Sequence, residues 1–345
     1  MKADVTIMGA GVFGFSCAWA CTKAGARVRV IDPAGIGAGA SGGLVGALSP
    51  HVPGGWNAKK QFQFEALVTA ERWWAEVAEA GGTDPYYART GRLQAVADET
   101  ALGLARVRTE AAETCWDAMA EWVVIPAGDA GVFAPVSPTG RLVRDTLSAR
   151  VHPRRALQAL ASAVEANGGE VVSRDGRAEG AVIWATGVAG LDALSAELGR
   201  SIGTGVKGQA ALLRYDAGDA PQIFADGLHV VPHGDGTVAV GSTSERDWTD
   251  VGGTDAQLDT LIARARALVP ALGDAPVIDR WAGLRPRAST RSPILGAWPG
   301  RPGHFIANGG FKIGFGIAPK VGQVMAALVL EGRDDIPAPF RPDAL

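Results

Sequence analysis

The sequence predicts an α/β fold with a Rossmann-like domain and a smaller domain that carries a mixed or antiparallel sheet. Three observations lead to this prediction. The first residues are patterned as a strand, a glycine-rich turn, a helix and a second strand. Helix and strand patterns return at 151–195 and at 304–332. Between them, residues 206–245 alternate apolar and polar positions, which is typical of antiparallel strands.

The first unit has the features of a dinucleotide site. After the apolar strand DVTIM, Gly9, Gly11 and Gly14 stand in G-x-G-x-x-G spacing. The first glycine permits a tight turn, the second lets the backbone approach a pyrophosphate, and the third lets the helix pack closely on the strand. The second strand, RVRVID, ends in Asp32, where an acid accepts hydrogen bonds from a ribose.

A long loop of small residues follows, AGIGAGASGGLVGALSP at 34–50. A chain with such small side chains can run closely along an extended cofactor. Further helices are predicted at 58–80, 99–122, 152–167 and 254–272, and a final strand, glycine turn and helix close the sequence. GRLQAVAD at 91–98 is patterned as a strand, and the Pro- and Gly-rich stretch at 123–145 as loops or short strands.

Composition and charge narrow the function classes. The 345 residues include 33 basic and 36 acidic side chains, which give a net charge of −3. Sequence-independent binding of nucleic acid is therefore not favoured. Cys17, Cys21 and Cys115 are too few for a disulfide framework, and the spacing of the first two predicts no metal site. We find neither a signal peptide nor an apolar run of about 18 residues, and we expect a cytoplasmic protein without a transmembrane segment.

Seven stretches, in order and over nearly the whole chain, resemble the D-amino-acid-oxidase-type superfamily of FAD-dependent oxidoreductases, and its glycine oxidase branch most of all. They are GAGVFG…ID, RVHPRRALQAL, VIWATGVAG, VKGQ, HVVPHGDGTVAVGSTSERDW, WAGLRP…SPILG and FIANGGFKIGFGIAP. The resemblance implies FAD as the cofactor. It implies non-covalent FAD, because no cysteine follows Cys115 and the family's attachment cysteine lies near the C-terminus.

The resemblance also implies a discontinuous domain organisation. An FAD-binding domain would comprise 1–80, 146–200 and 284–345, and a substrate-binding domain would comprise 81–145 and 201–283. The sheet of the second domain would cover the substrate face of the flavin. No second G-x-G-x-x-G occurs, so electrons are expected to come from the substrate and not from NAD(P)H.

Cofactor contacts carry over from the family residue by residue. They fall on Val12, Phe13, Asp32, Pro33, Ala40, Ser41, Val45, Gly46 and Ala47, on Gly187, and on Gly310, Phe311, Ile313, Gly314, Phe315 and Gly316 of the last turn. Backbone N–H groups of that turn would stabilise negative charge on the reduced flavin. The short segment EVVSRDGRAEG departs from the family pattern, and either Val171 or Val172 would contact the adenine.

The arginine of the GLRP motif is the family's ligand for the substrate carboxylate, and here it is Arg285. A guanidinium group matches a carboxylate as a bidentate pair. Two further positions of the predicted catalytic set depart from glycine oxidase. His229 replaces a tyrosine, with a strand histidine free of ligand contact as the alternative. Lys312 replaces an arginine, and would contact substrate, flavin or oxygen, or face solvent.

Three other side chains are candidates for the substrate pocket. Ser244 replaces a methionine of the pocket wall. His51 would line the entrance, or belong to an ordinary surface turn. Trp248 would be an aromatic wall of the pocket, or a core residue. Together the substitutions favour a more polar pocket, which puts glycine itself in doubt as the substrate.

The end of WAGLRPRASTRSPILG departs from the family. Arg287 and Arg291 stand where the family shows neutral residues, and Thr290 stands where it often has an acid. These two arginines would be solvated or would attract an anionic substrate or partner.

The predicted activity is oxidation of the C–N bond of a small amino acid or an N-substituted glycine. Molecular oxygen or another acceptor would reoxidise the flavin, and a homo-oligomer is possible. The same chemistry occurs in a tRNA wobble-uridine modification enzyme, which oxidises a carboxymethylaminomethyl group, and this is the alternative. A third possibility is a protein that holds FAD without turnover.

Overall fold

The structure is a computed structural model, and it describes residues 2–345. Seven α-helices lie in this part of the chain: α1 Val12–Lys23, α2 Ala58–Gly81, α3 Glu99–Cys115, α4 Pro153–Ala166, α5 Gly187–Leu198, α6 Ala256–Leu268 and α7 Gly314–Ala326. None of the helices in residues 2–345 has both the length and the apolar character that crossing a membrane requires.

Sixteen strands in residues 2–345 form three sheets. The strands are β1 Val5–Met8, β2 Val28–Ile31, β3 Ala47–Leu48, β4 Arg92–Ala95, β5 Trp122–Pro126, β6 Arg141–Asp145, β7 Ala149–Arg150, β8 Glu170–Val172, β9 Ala181–Trp184, β10 Gly203–Arg214, β11 Gln222–Ala225, β12 Leu228–Pro232, β13 Thr237–Gly241, β14 Val277–Ala288, β15 Ile294–Ala297 and β16 His304–Asn308.

The first sheet has six strands in the order β15-β16-β9-β1-β2-β8. The five strands from β16 to β8 are parallel to one another, and β15 pairs with β16 in antiparallel orientation. Parallel strands need crossover helices that cover the sheet, so they carry apolar residues on both faces. Helix α1 packs on this sheet and against α4 and α7, and Phe15 and Trp74 lie fully buried in the resulting core.

The second sheet has eight strands in the order β14-β10-β13-β12-β11-β4-β6-β5. Its pairs are antiparallel except β11 with β4. Alternation along these strands sends one face towards α6, where Leu258 and Ile262 pack on Val230 and Val240. The strands predicted within 206–245 are thereby confirmed as an antiparallel group. The long pair β10 and β14 places Arg285 opposite Val206.

One predicted helix is too long. The helix predicted over 99–122 ends at Cys115, and Asp117 and Ala118 have φ of +44° and +56°, which ends helical geometry. The turn lets Trp116 and Trp122 pack edge to face at 6.1 Å, both buried. Burial of two large aromatic rings outweighs the helical preference of the connecting residues.

The two large sheets draw on different parts of the chain. Every strand of the six-stranded sheet comes from 1–80, 146–200 or 284–345. The eight-stranded sheet takes its strands from 81–145 and 201–283, with β14 running across residue 284. We propose that the two domains correspond to these two sheets.

Candidate active site

A cavity of about 730 Å³ lies where the two sheets meet. It is lined by the carboxyl ends of β1 and β2, the start of α1, the small-residue loop, the β9–α5 turn, strand β14 and the turn after β16. Of the predicted site residues, those at the cavity wall are Gly9, Gly11, Val12, Phe13, Asp32, Pro33, Ala40, Ser41, Val45, Ala47, Gly187, His229, Arg285, Gly310, Phe311, Lys312, Gly314 and Phe315. A cavity at the carboxyl ends of parallel strands is the usual ligand site of an open α/β sheet.

The glycine turn brings α1 against the end of β1. Gly9 has φ of +109°, which glycine adopts without strain, and its N–H donates to Ile31 O at 2.8 Å. A β-carbon at Gly14 would lie 1.9 Å from the carbonyl oxygen of Gly9. Gly14 is therefore absent from the cavity wall for a clear reason: it permits the close contact between helix and strand that positions the turn.

The first turn of α1 offers N–H donors to the cavity. Its N-cap is Gly11, which provides no side-chain cap, and the N–H of Val12 donates to Ser41 Oγ at 3.0 Å. The N–H groups of Phe13 and Gly14 have no acceptor within the helix, as in any first helical turn. Together with the helix dipole they form a site for anionic oxygens such as those of a pyrophosphate.

Asp32 holds the glycine turn from the side of β2. One carboxylate oxygen accepts the Ala10 N–H at 2.9 Å, and the other accepts the Ala34 N–H at 3.0 Å. A carboxylate has about four acceptor positions, so Asp32 retains capacity for a ribose hydroxyl. Donors for phosphates, an acceptor for a ribose and a cavity lined by small residues fit the dinucleotide part of FAD.

The other end of the cavity is built around Arg285. This side chain is 8% exposed and lines the wall. Its Nη1 donates to Ser242 Oγ at 2.7 Å, and its Nη2 donates to Thr243 O at 2.8 Å and, more weakly, to Lys207 O at 3.4 Å. The Nε–H is buried without a partner. A ligand carboxylate would therefore meet the part of the guanidinium that is exposed at the cavity wall, and not the buried Nε–H.

Burial leaves the charge of Arg285 uncompensated. No carboxylate forms an ion pair with it within residues 2–345. Desolvation lowers its pKa to about 10, and the nearby Glu245 opposes this shift. Arg285 is still cationic at neutral pH, and an unpaired buried charge costs several kcal/mol. An anion bound next to Arg285 would therefore be stabilised by this charge.

Behind Arg285 lies a hydrogen-bonded group of buried residues on β10 and after β13. Glu245 lies 3.8 Å from Lys207 Nζ and accepts from Gln209 Nε2 at 3.0 Å. The Thr243 hydroxyl also donates to Glu245. These contacts satisfy the carboxylate of Glu245, so it does not turn to Arg285. The guanidinium lies directly over Gly208, where a β-carbon would be 2.0 Å from Nη1.

His229 lies in the cavity wall on β12. Its Nδ1 is buried without a hydrogen-bond partner in the described residues, and its ring packs on Phe224 at 4.7 Å. Desolvation, followed by the charges of Arg92, Lys312 and Arg285, lowers its pKa to about 3. His229 is therefore neutral throughout the physiological pH range.

Phe311 and Lys312 form the turn between β16 and α7. Phe311 has φ of +43°, a conformation rare for bulky residues, and its N–H donates to Pro286 O at 3.1 Å. Lys312 is exposed at the cavity rim and also lines the wall. Its pKa is lowered by desolvation and by the charges of Arg285 and Arg287.

The comparisons with known proteins agree with this geometry. Residues 4–328 match the family described as DAO, FAD dependent oxidoreductase. The chain belongs to this family of FAD-dependent oxidoreductases. It is 29% identical to a glycine oxidase of Pseudomonas aeruginosa, over 99% of both proteins.

Solved structures show the same fold at lower identity. The glycine oxidase of Geobacillus kaustophilus superposes with a TM-score of 0.86 at 23% identity, covering 99% of this chain and 98% of that one. An iminodiacetate oxidase from Chelativorans sp. BNC1 gives 0.84 at 24% identity, covering 98% of each chain. At these identities the likeness is one of fold.

Eight predicted residues of this oxidoreductase do not line the cavity: Gly14, Gly46, Val172, Ile313, Gly316, His51, Ser244 and Trp248. A β-carbon at Gly46 would lie 1.8 Å from Val151 O, so Gly46 serves chain packing. Val172 accepts the Asp32 N–H at the edge of the sheet. Ile313 is the N-cap of α7, and Gly316 packs in its first turn against Leu67.

The three predicted pocket residues lie elsewhere in the oxidoreductase. The backbone N–H of His51 donates to Gln63 Oε1 at 2.8 Å, which ties His51 to α2. Ser244 is exposed, and Trp248 is half-buried in the loop before α6. Each of these three residues follows a segment that lines the cavity, but the residue itself lies outside the cavity wall.

Sequence reasoning also missed residues of the site. Ser242 lines the cavity and holds Arg285, and Trp281 and Pro153 contribute to the wall. Gly208 is recognisable only within the VKGQ motif, since its function depends on a side chain 77 positions later on the paired strand. No group of His, Cys, Asp and Glu in residues 2–345 could hold a metal ion.

Proposed function

We propose that the chain binds FAD non-covalently and oxidises the C–N bond of a small amino acid or N-substituted glycine. The single observation that carries this proposal is Arg285: a buried cation at the cavity wall, 8% exposed, with no carboxylate partner within residues 2–345. A substrate carboxylate supplies the missing charge. The glycine oxidase relative supports the choice of an amino acid.

The residues of the chain would bind and orient the substrate. Arg285 fixes the carboxylate, and its own direction is fixed by Ser242 and Thr243. His229 is neutral and adds an uncharged polar ring to the cavity wall. Phe311 and Trp281 line the wall and restrict water. Such positioning is worth about 7–11 kcal/mol of barrier in favourable cases.

FAD, when bound, would supply the two-electron oxidant that takes the hydride from the substrate Cα, and water would hydrolyse the product imine to an oxo acid and ammonia or a primary amine. The cofactor carries this chemistry, so no protein base is required at Cα. Gly310, Lys312 and Gly314 line the cavity, and their backbone N–H groups are candidate donors to negative charge on the flavin. Oxygen or another acceptor would complete the cycle.

The test is anaerobic mixing of the FAD-loaded protein with glycine, N-methylglycine, D-amino acids and cyclic imino acids. We expect at least one of them to bleach the flavin absorbance. If none does so at millimolar concentration, amino-acid oxidation is the wrong reaction for this chain. Identification of the oxo acid and of the released amine would then establish which C–N bond is cleaved.

Nothing in the comparisons supports the tRNA alternative, and the net charge of −3 gives no general attraction for RNA. A homo-oligomer and a cytoplasmic location remain parts of the proposal. The three free cysteines, two of them buried, are compatible with a reducing compartment.

A further inference from the structure

Three cationic groups surround a single aromatic ring at the cavity mouth. The Cζ atoms of Arg285 and Arg287 lie 5.6 Å from the ring centroid of Phe311, and Lys312 Nζ lies 5.8 Å from it. Because all three groups lie near one ring, the separation of any two of them is at most twice the larger distance. The negative face of the ring attracts each cation, but it does not neutralise a net charge.

These cations lack carboxylate partners. Arg287 and Lys312 form no side-chain hydrogen bond or ion pair within residues 2–345, and Arg285 forms hydrogen bonds only to uncharged oxygens. Arg287 is half-buried, just outside the cavity wall, whereas Lys312 belongs to the wall. The pKa of Lys312 is lowered first by desolvation and then by the like charges of Arg285 and Arg287.

The backbone keeps the three groups together. Phe311 is fixed in a left-handed conformation by its hydrogen bond to Pro286 O, which lies between the two arginines in sequence. A bulky residue is seldom held at positive φ unless the surroundings require it, and such residues concentrate at functional sites. The turn thus holds the Phe311 ring within 5.6 Å of Arg287 Cζ and 5.8 Å of Lys312 Nζ.

We propose that Lys312 and Arg287 form a second anion subsite, and that the substrate is a dicarboxylic amino or imino acid. Arg285 takes the carboxylate next to the reacting carbon, and the second carboxylate lies between Lys312 and Arg287 at the rim. This inference rests on the proposed function, because it names the substrate class of that same site.

One carboxylate is not enough to neutralise the group. A monocarboxylate held by Arg285 leaves Lys312 and Arg287, both close to the Phe311 ring, without a counter-ion. A second carboxylate, a few bonds away, can accept a charge-assisted hydrogen bond from each of them. The solved iminodiacetate oxidase is named for a dicarboxylate, but the likeness to it is one of fold, so the inference depends on the three cations alone.

The test compares ligands that differ in one charge. On the FAD-loaded protein, the binding of glutarate and of its monoamide is measured by the change in flavin absorbance. The anaerobic rate of flavin bleaching is measured for iminodiacetate and for its monoamide. Amide and carboxylate have nearly the same shape, so only the second charge differs. We expect the diacid to be preferred roughly tenfold or more in Kd and in kcat/KM.

Variants locate the preference. In Lys312→Gln and Arg287→Gln, the preference for the diacid should fall several-fold, while binding of the monoamide changes little. Lys320→Gln is the matched control, because Lys320 lies on α7 and pairs with Glu65 at 2.9 Å. This variant should keep the preference of the unmodified protein.

Three results would overturn the inference. The unmodified protein could bind diacid and monoamide equally. Lys312→Gln could weaken both ligands equally, which would assign Lys312 to the first carboxylate or to the flavin. Lys320→Gln could reduce the preference for the diacid as much as the variants of Lys312 and Arg287 do. That result would mean that the preference reflects the overall positive charge of the protein and not a local subsite. Failure of the proposed function is distinct: no amino acid would then bleach the flavin, whereas glutarate binding would still test the subsite.

Discussion

The two ends of the cavity are lined by different kinds of chemical group. The nucleotide end consists of backbone groups and small side chains, held by the contact of Gly14 with Gly9 and by Asp32. The substrate end is lined by Arg285 on β14, by neutral His229 on β12 and by Lys312 of the turn before α7. The first end recognises its ligand through shape and N–H donors, and the second through uncompensated positive charge. Substitutions should therefore act through volume at one end and through charge at the other.

The largest expected effect is at the substrate end. Arg285→Gln removes the charge and keeps much of the volume. We expect kcat/KM for an amino-acid substrate to fall about a thousandfold, which corresponds to roughly 4 kcal/mol. FAD retention, measured by the absorbance ratio of the purified protein, should remain unchanged. A variant that loses FAD together with activity would show that the two ends are not independent.

At the nucleotide end, Gly14→Ala should act through volume. Its β-carbon would lie 1.9 Å from a backbone oxygen that cannot move away, so helix and strand must separate. We expect the free energy of unfolding to fall by about 1–3 kcal/mol, with weaker FAD binding. The kcat of the FAD-saturated variant should stay close to normal.

Gly103→Ala is the matched control for this substitution. Gly103 lies within α3, and a β-carbon there would meet no atom within 4 Å. Alanine favours a helix over glycine by about 1 kcal/mol, so this variant should be slightly more stable. Equal melting temperatures for the two glycine variants would contradict the packing role of Gly14.

Gly208→Ala combines both modes of action, since added volume displaces a charge. The β-carbon would lie 2.0 Å from Nη1 of Arg285, and a guanidinium at the end of a flexible chain can move aside. We expect kcat/KM to fall roughly 10–100-fold, with melting temperature and FAD retention little altered. A large loss of stability would instead show that the position of Arg285 is rigidly required by the fold.

The contrast also explains what could be predicted from sequence. Gly9, Gly11, Gly14 and Asp32 belong to one local unit whose spacing determines its geometry, so their places at the turn follow from the sequence. The surroundings of Arg285 depend on the register of β10 with β14 and on the chain after β13. Pairing over such distances leaves little trace in local patterns.

The residues predicted for the substrate pocket show where prediction from the sequence fails. Ser244 was predicted for the pocket from family position, but Ser242 is the serine that contacts Arg285. Strand β13 ends at Gly241, so alternation no longer indicates which side chains face the cavity. The position of Lys312 depends on the left-handed conformation of Phe311, for which the sequence offers no indication.

A smaller effect concerns pH, and it distinguishes the ends because His229 is the one histidine among the described cavity-lining residues. Its pKa is lowered from 6.5 to about 3 in the folded state. The unfolded state thus binds the proton first, and stability falls as pH decreases from 6.5 towards 3, by up to about 1.4 kcal/mol per pH unit. His233 has a similarly lowered pKa and adds a parallel loss.

His229→Tyr should remove one of these two contributions. Tyrosine is the residue that the family resemblance places at this position, and it does not titrate in the acid range. Urea unfolding of the FAD-loaded protein at pH 7 and at pH 5 measures the effect. We expect the variant to lose less stability than the unmodified protein over this interval, and an identical loss would mean that His229 is already protonated in the folded state.

The smallest expected effect is that of Ser242→Ala. It removes one neutral acceptor from Arg285, whose Nη2 still donates to Thr243 O and Lys207 O. A single such hydrogen bond contributes about 1 kcal/mol, so KM should rise roughly fivefold while kcat changes little. The freed Nη1 donor remains close to the cavity, where a ligand oxygen or water can take the place of the hydroxyl. An effect on kcat as large as that of Arg285→Gln would show that Ser242 acts on the reacting atoms and not only on the direction of the guanidinium.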